Sequence, residues 1–147
     1  MKTEFYKVDR EAPNREIIAL CGKMLREGKL VCFPTETVYG LGANAFDPEA
    51  VSAVYAAKGR PADNPLIVHI SDYAMLETVS DMTERGRKYL LKLGEAYWPG
   101  PLTVIVTKNK RIPREVTCGL DTVGTVSYTH LDVYKRQIRT RSGTEWC

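Results

Sequence analysis

The sequence predicts an α/β (α+β) domain, in which short apolar strands alternate with amphipathic helices. Three observations carry that prediction. Leu30–Phe33, Leu66–Ile70 and Leu102–Thr107 are apolar runs of strand length. Between them lie segments whose apolar residues recur at three- and four-residue spacing, the period of a helix with one buried face. And 147 residues, 44% of them apolar and 27% charged, make up one ordinary globular domain.

The elements follow in order. Glu4–Val8 reads as a short strand. A helix is expected from about Arg15 to Glu27, with Ile17, Leu20, Cys21, Met24 and Leu25 forming one buried stripe. Asn14 caps its start, and Gly28 ends it in the left-handed conformation. Lys29–Phe33 is a buried strand stopped by Pro34. The next run, Pro34-Thr35-Glu36-Thr37-Val38-Tyr39-Gly40-Leu41-Gly42, puts hydroxyls, a carboxylate and glycines directly after a strand. In α/β proteins ligands bind there. A second helix opens on Asp47 as cap and Pro48 as first residue, buries Val51, Val54 and Tyr55, and closes at Gly59.

Lys58 to Pro65 is then a loop with two prolines and two cations, leading into the strand Leu66–Ile70, apolar except for His69. Ser71 or Asp72 caps a short helix. Asp81 and Glu84 have capping-box spacing for a longer one that ends near Tyr97. Trp98-Pro99-Gly100-Pro101 is a rigid turn into the last apolar strand, and Lys108–Arg114 reads as a surface loop. This alternation does not specify the order of the strands.

Composition narrows the class. No apolar run is long enough to cross a bilayer, so no membrane partner is expected. Met1 to Lys7 carries charges where an export signal needs an apolar stretch, which leaves the cytoplasm as the expected location. Cys21, Cys32, Cys118 and Cys147 are far apart, with no Cys-x-x-Cys pair, so neither a metal site nor a redox motif is expected. Cys21 and Cys32 read as small buried hydrophobes, and Cys118 as a free thiol. The formal charge is +3, but residues 1–125 hold 17 Lys/Arg and 16 Asp/Glu. A domain so close to neutral has no basic footprint for nucleic acid in its bulk charge.

The clearest chemical signal is Lys58 and Arg60, two cations held between a helix end and two prolines. Such a pair suits a polyphosphate, with Arg supplying a planar fork of donors and Lys a point charge. A lysine that simply complements the helix's C-terminal dipole has the same spacing. His69 is either an ordinary strand histidine or an imidazole facing a cleft. Thr35, Glu36 and Thr37 either form a turn or offer hydroxyls to an amino-acid or nucleotide ligand. Neither Gly-x-x-x-x-Gly-Lys-Ser/Thr nor Gly-x-Gly-x-x-Gly is present.

Three ordered blocks go further: Pro34 to Gly42, Ala57 to Ile70, and Trp98 to Val104, continued by Gly119-Leu120-Asp121-Thr122-Val123. Together they resemble the YrdC-like family over about 95 residues. The resemblance implies a twisted, mixed β-sheet flanked by helices around a deep, positively lined cleft. It implies an enzyme that joins L-threonine, bicarbonate and ATP into threonylcarbamoyl-AMP and pyrophosphate. The product would pass to the transferase machinery that modifies adenosine 37 of tRNA.

Carried over by position, Thr37 and His69 would hold L-threonine. Lys58, Arg60, Asn64 and Thr122 would contact ATP, with Mg²⁺ accompanying the triphosphate. No side chain is an obvious covalent nucleophile, and none is assigned as catalytic; catalysis would be positioning and charge neutralisation.

The resemblance stops near residue 124. The family continues Thr-Val-x-Val-Arg, its arginine meeting the threonine carboxylate; here Thr122-Val123-Gly124-Thr125-Val126 puts Val126 in the arginine's place. A later Ser-Ala-Asn block is also absent. Residues 1–124 are therefore expected to be a partial YrdC-like domain, its sheet incomplete at the C-terminal end. Residues 125–147 read as a tail derived from adapter or vector sequence, and this chain is expected to be inactive. A divergent C-terminal strand is the competing reading of the tail, since Tyr128, Leu131, Val133 and Tyr134 suit a strand. Two other functions fit the same fold: a carbamoyl-transfer domain of the hydrogenase-maturation type, and a double-stranded RNA-binding module. The early position of Pro34, with no acylphosphatase-like or zinc-finger segment before it, favours a free-standing synthase over the first. The near-neutral charge argues against the second.

Overall fold

In the computed structural model, which describes residues 3–9, 12–35 and 38–127, five helices and five strands alternate along the chain. They are α1 (Arg15–Arg26), β1 (Val31–Pro34), β2 (Tyr39–Gly42), α2 (Pro48–Lys58) and β3 (Ile67–Ile70). Then come α3 (Tyr73–Val79), α4 (Glu84–Tyr97), β4 (Thr103–Thr107), α5 (Arg114–Thr117) and β5 (Thr122–Ser127). β3, β5 and β4 form a mixed sheet in that order, with β5 in the centre, parallel to β3 and antiparallel to β4. β1 and β2 form a separate antiparallel hairpin. The α/β expectation holds, and the main sheet is mixed.

The ends of α1 and α2 and the start of α3 fall where the sequence placed its signals. The Asn14 side chain accepts from the amides of Glu16 and Ile17, and Asp47 from those of Glu49 and Ala50, with Pro48 in the first turn. Asp72, rather than Ser71, caps α3 by accepting from Met75 N–H. Gly28 takes φ 76° after α1, and a side chain there would collide with the Asp47 carboxylate, so the end of α1 abuts the start of α2.

One face of the main sheet is the core. Val68 and Ile70 of β3, Val106 of β4 and Val123 of β5 pack against Val51 and Tyr55 of α2, with Leu76 of α3, Leu90 of α4 and Val116 of α5. Every polar side-chain atom that is buried among the described residues has a hydrogen-bond partner.

Six expectations need correction. Residues 3–9 form no strand; Phe5 is 91% exposed, and no neighbouring strand pairs with it. α1 keeps its apolar stripe but buries none of it fully, because among the described residues it rests on β1 of a two-stranded hairpin. For the same reason Cys32 is exposed. Part of the expected ligand loop, Tyr39–Gly42, is a strand: Phe33 pairs with Gly40, and its ring covers the space a side chain at Gly40 or Gly42 would need. Thr83, not Asp81, caps α4, while the Asp81 carboxylate accepts from Asn109 Nδ2 at 2.8 Å. Within the expected surface loop Lys108–Arg114, Ile112 is 1% exposed and belongs to the core.

Candidate functional site

Of the sequence-predicted site residues, His69 and Thr122 lie on the other face of the main sheet, and Asn64 lies at one of its ends. Strand alternation sends Val68 and Ile70 into the core, so Ile67 and His69 lie on the opposite face. Ile67 pairs with Gly124 and His69 with Val126 across the parallel ladder, and Thr122, two residues before Gly124, lies on that same face. β4 adds Thr103, Ile105 and Thr107, the last paired with Thr122. Much of this face is open: Ile67, His69, Ile105 and Thr122 are all exposed. Gly124 in its centre keeps the floor low; a Cβ there would meet Thr103 Cγ2 at 3.3 Å and Ile67 Cγ1 at 3.8 Å.

The cation loop enters this sheet from its end. α2 stops because Gly59 turns left-handed at φ 58°, which lets Arg60 N–H bond back to the Tyr55 carbonyl at 3.1 Å. Lys58 is exposed in the last turn and Arg60 is half-buried just beyond it. Arg60 Nη2 donates to the Asn64 backbone carbonyl at 3.0 Å, folding the loop on itself. The loop's exit is pinned by Leu66 N–H donating to the Val116 carbonyl of α5 at 2.8 Å.

Register brings two of the sites together. Since Ile67 is level with Gly124, Thr122 is level with Pro65, next to Asn64. Asn64 and Thr122 therefore share the sheet end where the cation loop arrives, and His69 lies further along the same face. Thr37 and Glu36 fall outside the described residues. Their flanks close a turn, with Thr35 N–H donating to the Val38 carbonyl at 3.0 Å and the Thr35 hydroxyl also bonded to that carbonyl. The tail from Tyr128 onward also lies outside the described residues. β5 runs without a break through Ser127, three residues past the expected boundary at 124.

One participant had gone unnoticed. Tyr55 is 5% exposed, and its hydroxyl donates to the same Asn64 carbonyl at 3.0 Å. Cys118 Sγ lies 3.4 Å from the phenol oxygen. With the phenol's one proton committed to Asn64, the thiol is the donor in that contact. Burial, and then the contact with Cys118, push the Tyr55 pKa up to about 12, so the phenol keeps its proton throughout the neutral range. The signal available in advance was a tyrosine in a buried helix stripe, whose hydroxyl needs a partner.

Among the described residues no group of three or more His, Cys, Asp or Glu side chains could hold a metal ion, and no helix is long and apolar enough to cross a membrane.

Comparison with known proteins places the chain in a family. The profile of the Sua5, YciO and YrdC proteins, described as Telomere recombination, matches residues 23–132. The chain is 52% identical over 106 residues to the threonylcarbamoyl-AMP synthase of Pyrococcus abyssi, covering 72% of this chain and 30% of that protein. It is 47% identical over 127 residues to the corresponding synthase of Bacillus subtilis, covering 84% and 36%. The crystal structure of P. abyssi Sua5 in complex with L-threonine superposes with a TM-score of 0.73 at 44% identity, covering 86% of this chain and 36% of that one. The chain thus spans about a third of the length of these relatives.

Proposed function

The chain belongs to the Sua5/YciO/YrdC family, and from that premise we propose that the whole protein is a threonylcarbamoyl-AMP synthase. It converts L-threonine, bicarbonate and ATP to threonylcarbamoyl-AMP and pyrophosphate in the cytoplasm, and hands the product to the machinery that modifies tRNA. The observation that carries this reading is a register pair. His69, the position assigned to threonine, lies directly opposite Val126, the position where the family's carboxylate-binding arginine is expected. Two positions assigned to one ligand from distant parts of the sequence fall side by side on the same face of the sheet, with His69 exposed and Val126 buried. The P. abyssi protein that this fold matches was crystallised with L-threonine.

On this reading Thr37 and His69 hold the amino acid, while Lys58, Arg60, Asn64 and Thr122 hold the nucleotide. The threonine amine and bicarbonate condense to a carbamate with loss of water. A carbamate oxygen then attacks the α-phosphate of ATP, and pyrophosphate leaves. Lys58 and Arg60 neutralise the charge on the phosphates and fix their line, which is most of what such a transfer asks of a protein. Mg²⁺ would enter with the triphosphate, held by phosphate oxygens and water, since no carboxylate cage gathers among the described residues. The 147-residue chain, with Val126 in place of the arginine and residues 133–147 beyond the stretch that the family profile matches, is inactive.

Pyrophosphate release tests the proposal. Residues 1–124 joined to the remainder of the P. abyssi synthase should release pyrophosphate only when L-threonine, bicarbonate and ATP are all present. The 147-residue chain should release none. Release by the hybrid that ignores threonine would refute the assigned reaction, and threonine-dependent release by the 147-residue chain would refute its inactivity.

A further inference from the structure

We propose that Tyr55 is a positioning residue for the cation loop: its buried hydroxyl fixes the Asn64 carbonyl on which Arg60 rests until a polyphosphate takes the guanidinium. The inference rests on the reading of Lys58 and Arg60 as phosphate contacts, and adds a part that touches no ligand.

The geometry is a two-donor fork on one carbonyl. Tyr55 Oη and Arg60 Nη2 each lie 3.0 Å from the Asn64 carbonyl oxygen, using both of its lone pairs. The two donors differ in freedom. Tyr55 sits in the core, held by α2 and by the Cys118 thiol from the end of α5. Arg60 is half-buried, and none of the ion pairs among the described residues includes it. Its guanidinium therefore rests on a neutral acceptor, and a bidentate pairing with anionic phosphate oxygens is the stronger contact. Exchange to phosphate leaves the carbonyl with one partner, Tyr55. The phenol then keeps Asn64 and the loop between Pro61 and Pro65 in the shape that aims Lys58 and Arg60. The chain of support runs from α5 through Cys118, Tyr55 and Asn64 to Arg60.

Titration of the 147-residue chain with ATP, inorganic tripolyphosphate and adenosine reads this out, with amide hydrogen exchange followed at residues 60–66 and in β5. Tyr55→Phe keeps the ring and removes the hydroxyl. It should weaken ATP and tripolyphosphate alike by about five- to tenfold, the worth of one hydrogen bond. Adenosine binding should be unchanged, and exchange should rise in the loop but not in β5. A residue of purely structural importance would disturb all three ligands and β5 together, and that result would overturn the proposal.

Arg60→Ala separates the two readings. If it abolishes tripolyphosphate binding while Tyr55→Phe binds like the unsubstituted chain, the positioning role falls and the site reading survives. If Arg60→Ala changes nothing, or the unsubstituted chain binds no ATP, the site reading falls and takes this inference with it. Should Tyr55→Phe unfold, the pair at Cys118 decides. Cys118→Ser, which keeps a donor to the phenol, should bind tripolyphosphate more tightly than Cys118→Ala, and equal affinities would overturn the relay.

Discussion

Gly94, in the last turn of α4, shows how much one hydrogen atom can matter. A Cβ there would run into the Tyr73 hydroxyl and come within 3.1 Å of Trp98 Cε3, and those two rings already pack 6.3 Å apart. Gly94→Ala gains about 1 kcal/mol of helix propensity but forces ~1–3 kcal/mol of overpacking. It should destabilise the chain by about 1 kcal/mol, read as a lower urea midpoint at unchanged slope; a higher midpoint would mean that Tyr73 swings away freely. Gly42 is the contrasting case, because the Phe33 ring that covers it is 37% exposed and has room to move. Residue chemistry was legible where it was local: Lys58, Arg60 and His69 announced themselves by type and spacing. The Tyr55 hydroxyl did not, since its partners lie nine residues ahead, at Asn64, and 63 ahead, at Cys118.

Elements were legible wherever their ends are written in side chains. Asn14, Asp47, Asp72 and Gly59 do at α1, α2 and α3 what their types require. At Asp72 the amide of Met75 and the Ser71 hydroxyl hold the carboxyl below its ordinary pKa, the mark of a cap that favours the charged form. Asp47 matters most to the site, because α2 carries Tyr55 and Lys58 toward the loop. Asp47→Ala leaves two amides of the first turn uncapped, at the positions now bonded at 3.0 and 3.1 Å. It should cost about 1 kcal/mol in urea denaturation; an unchanged midpoint would mean that water caps α2 equally well. Local pattern erred at α1 for a physical reason. An apolar stripe records what a helix is able to bury, and burial depends on what arrives to cover it.

At the scale of the whole molecule, the core helices among the described residues pack on one face of the main sheet, and part of the other face is exposed around a buried Val126. Ile67 is 51% exposed and Ile105 72% exposed on the other face, near the candidate site. Under native conditions the 147-residue chain should therefore brighten a polarity-sensitive dye. Ile105→Thr should reduce that signal while shifting stability by no more than about 0.5 kcal/mol, as expected of an exposed position. A chain that leaves the dye dark until it melts would contradict an open face.

Family, fold class and the positions of α1 to α4 were determined by the sequence alone, because motifs and caps act over a few residues. Which strand lies in the centre, which face stays open, and that His69 meets Val126 were decided by the tertiary structure. Strand pairing joins residues some 57 positions apart in the chain, and the choice among possible pairings is made by the packing of the whole sheet rather than by any local run of sequence.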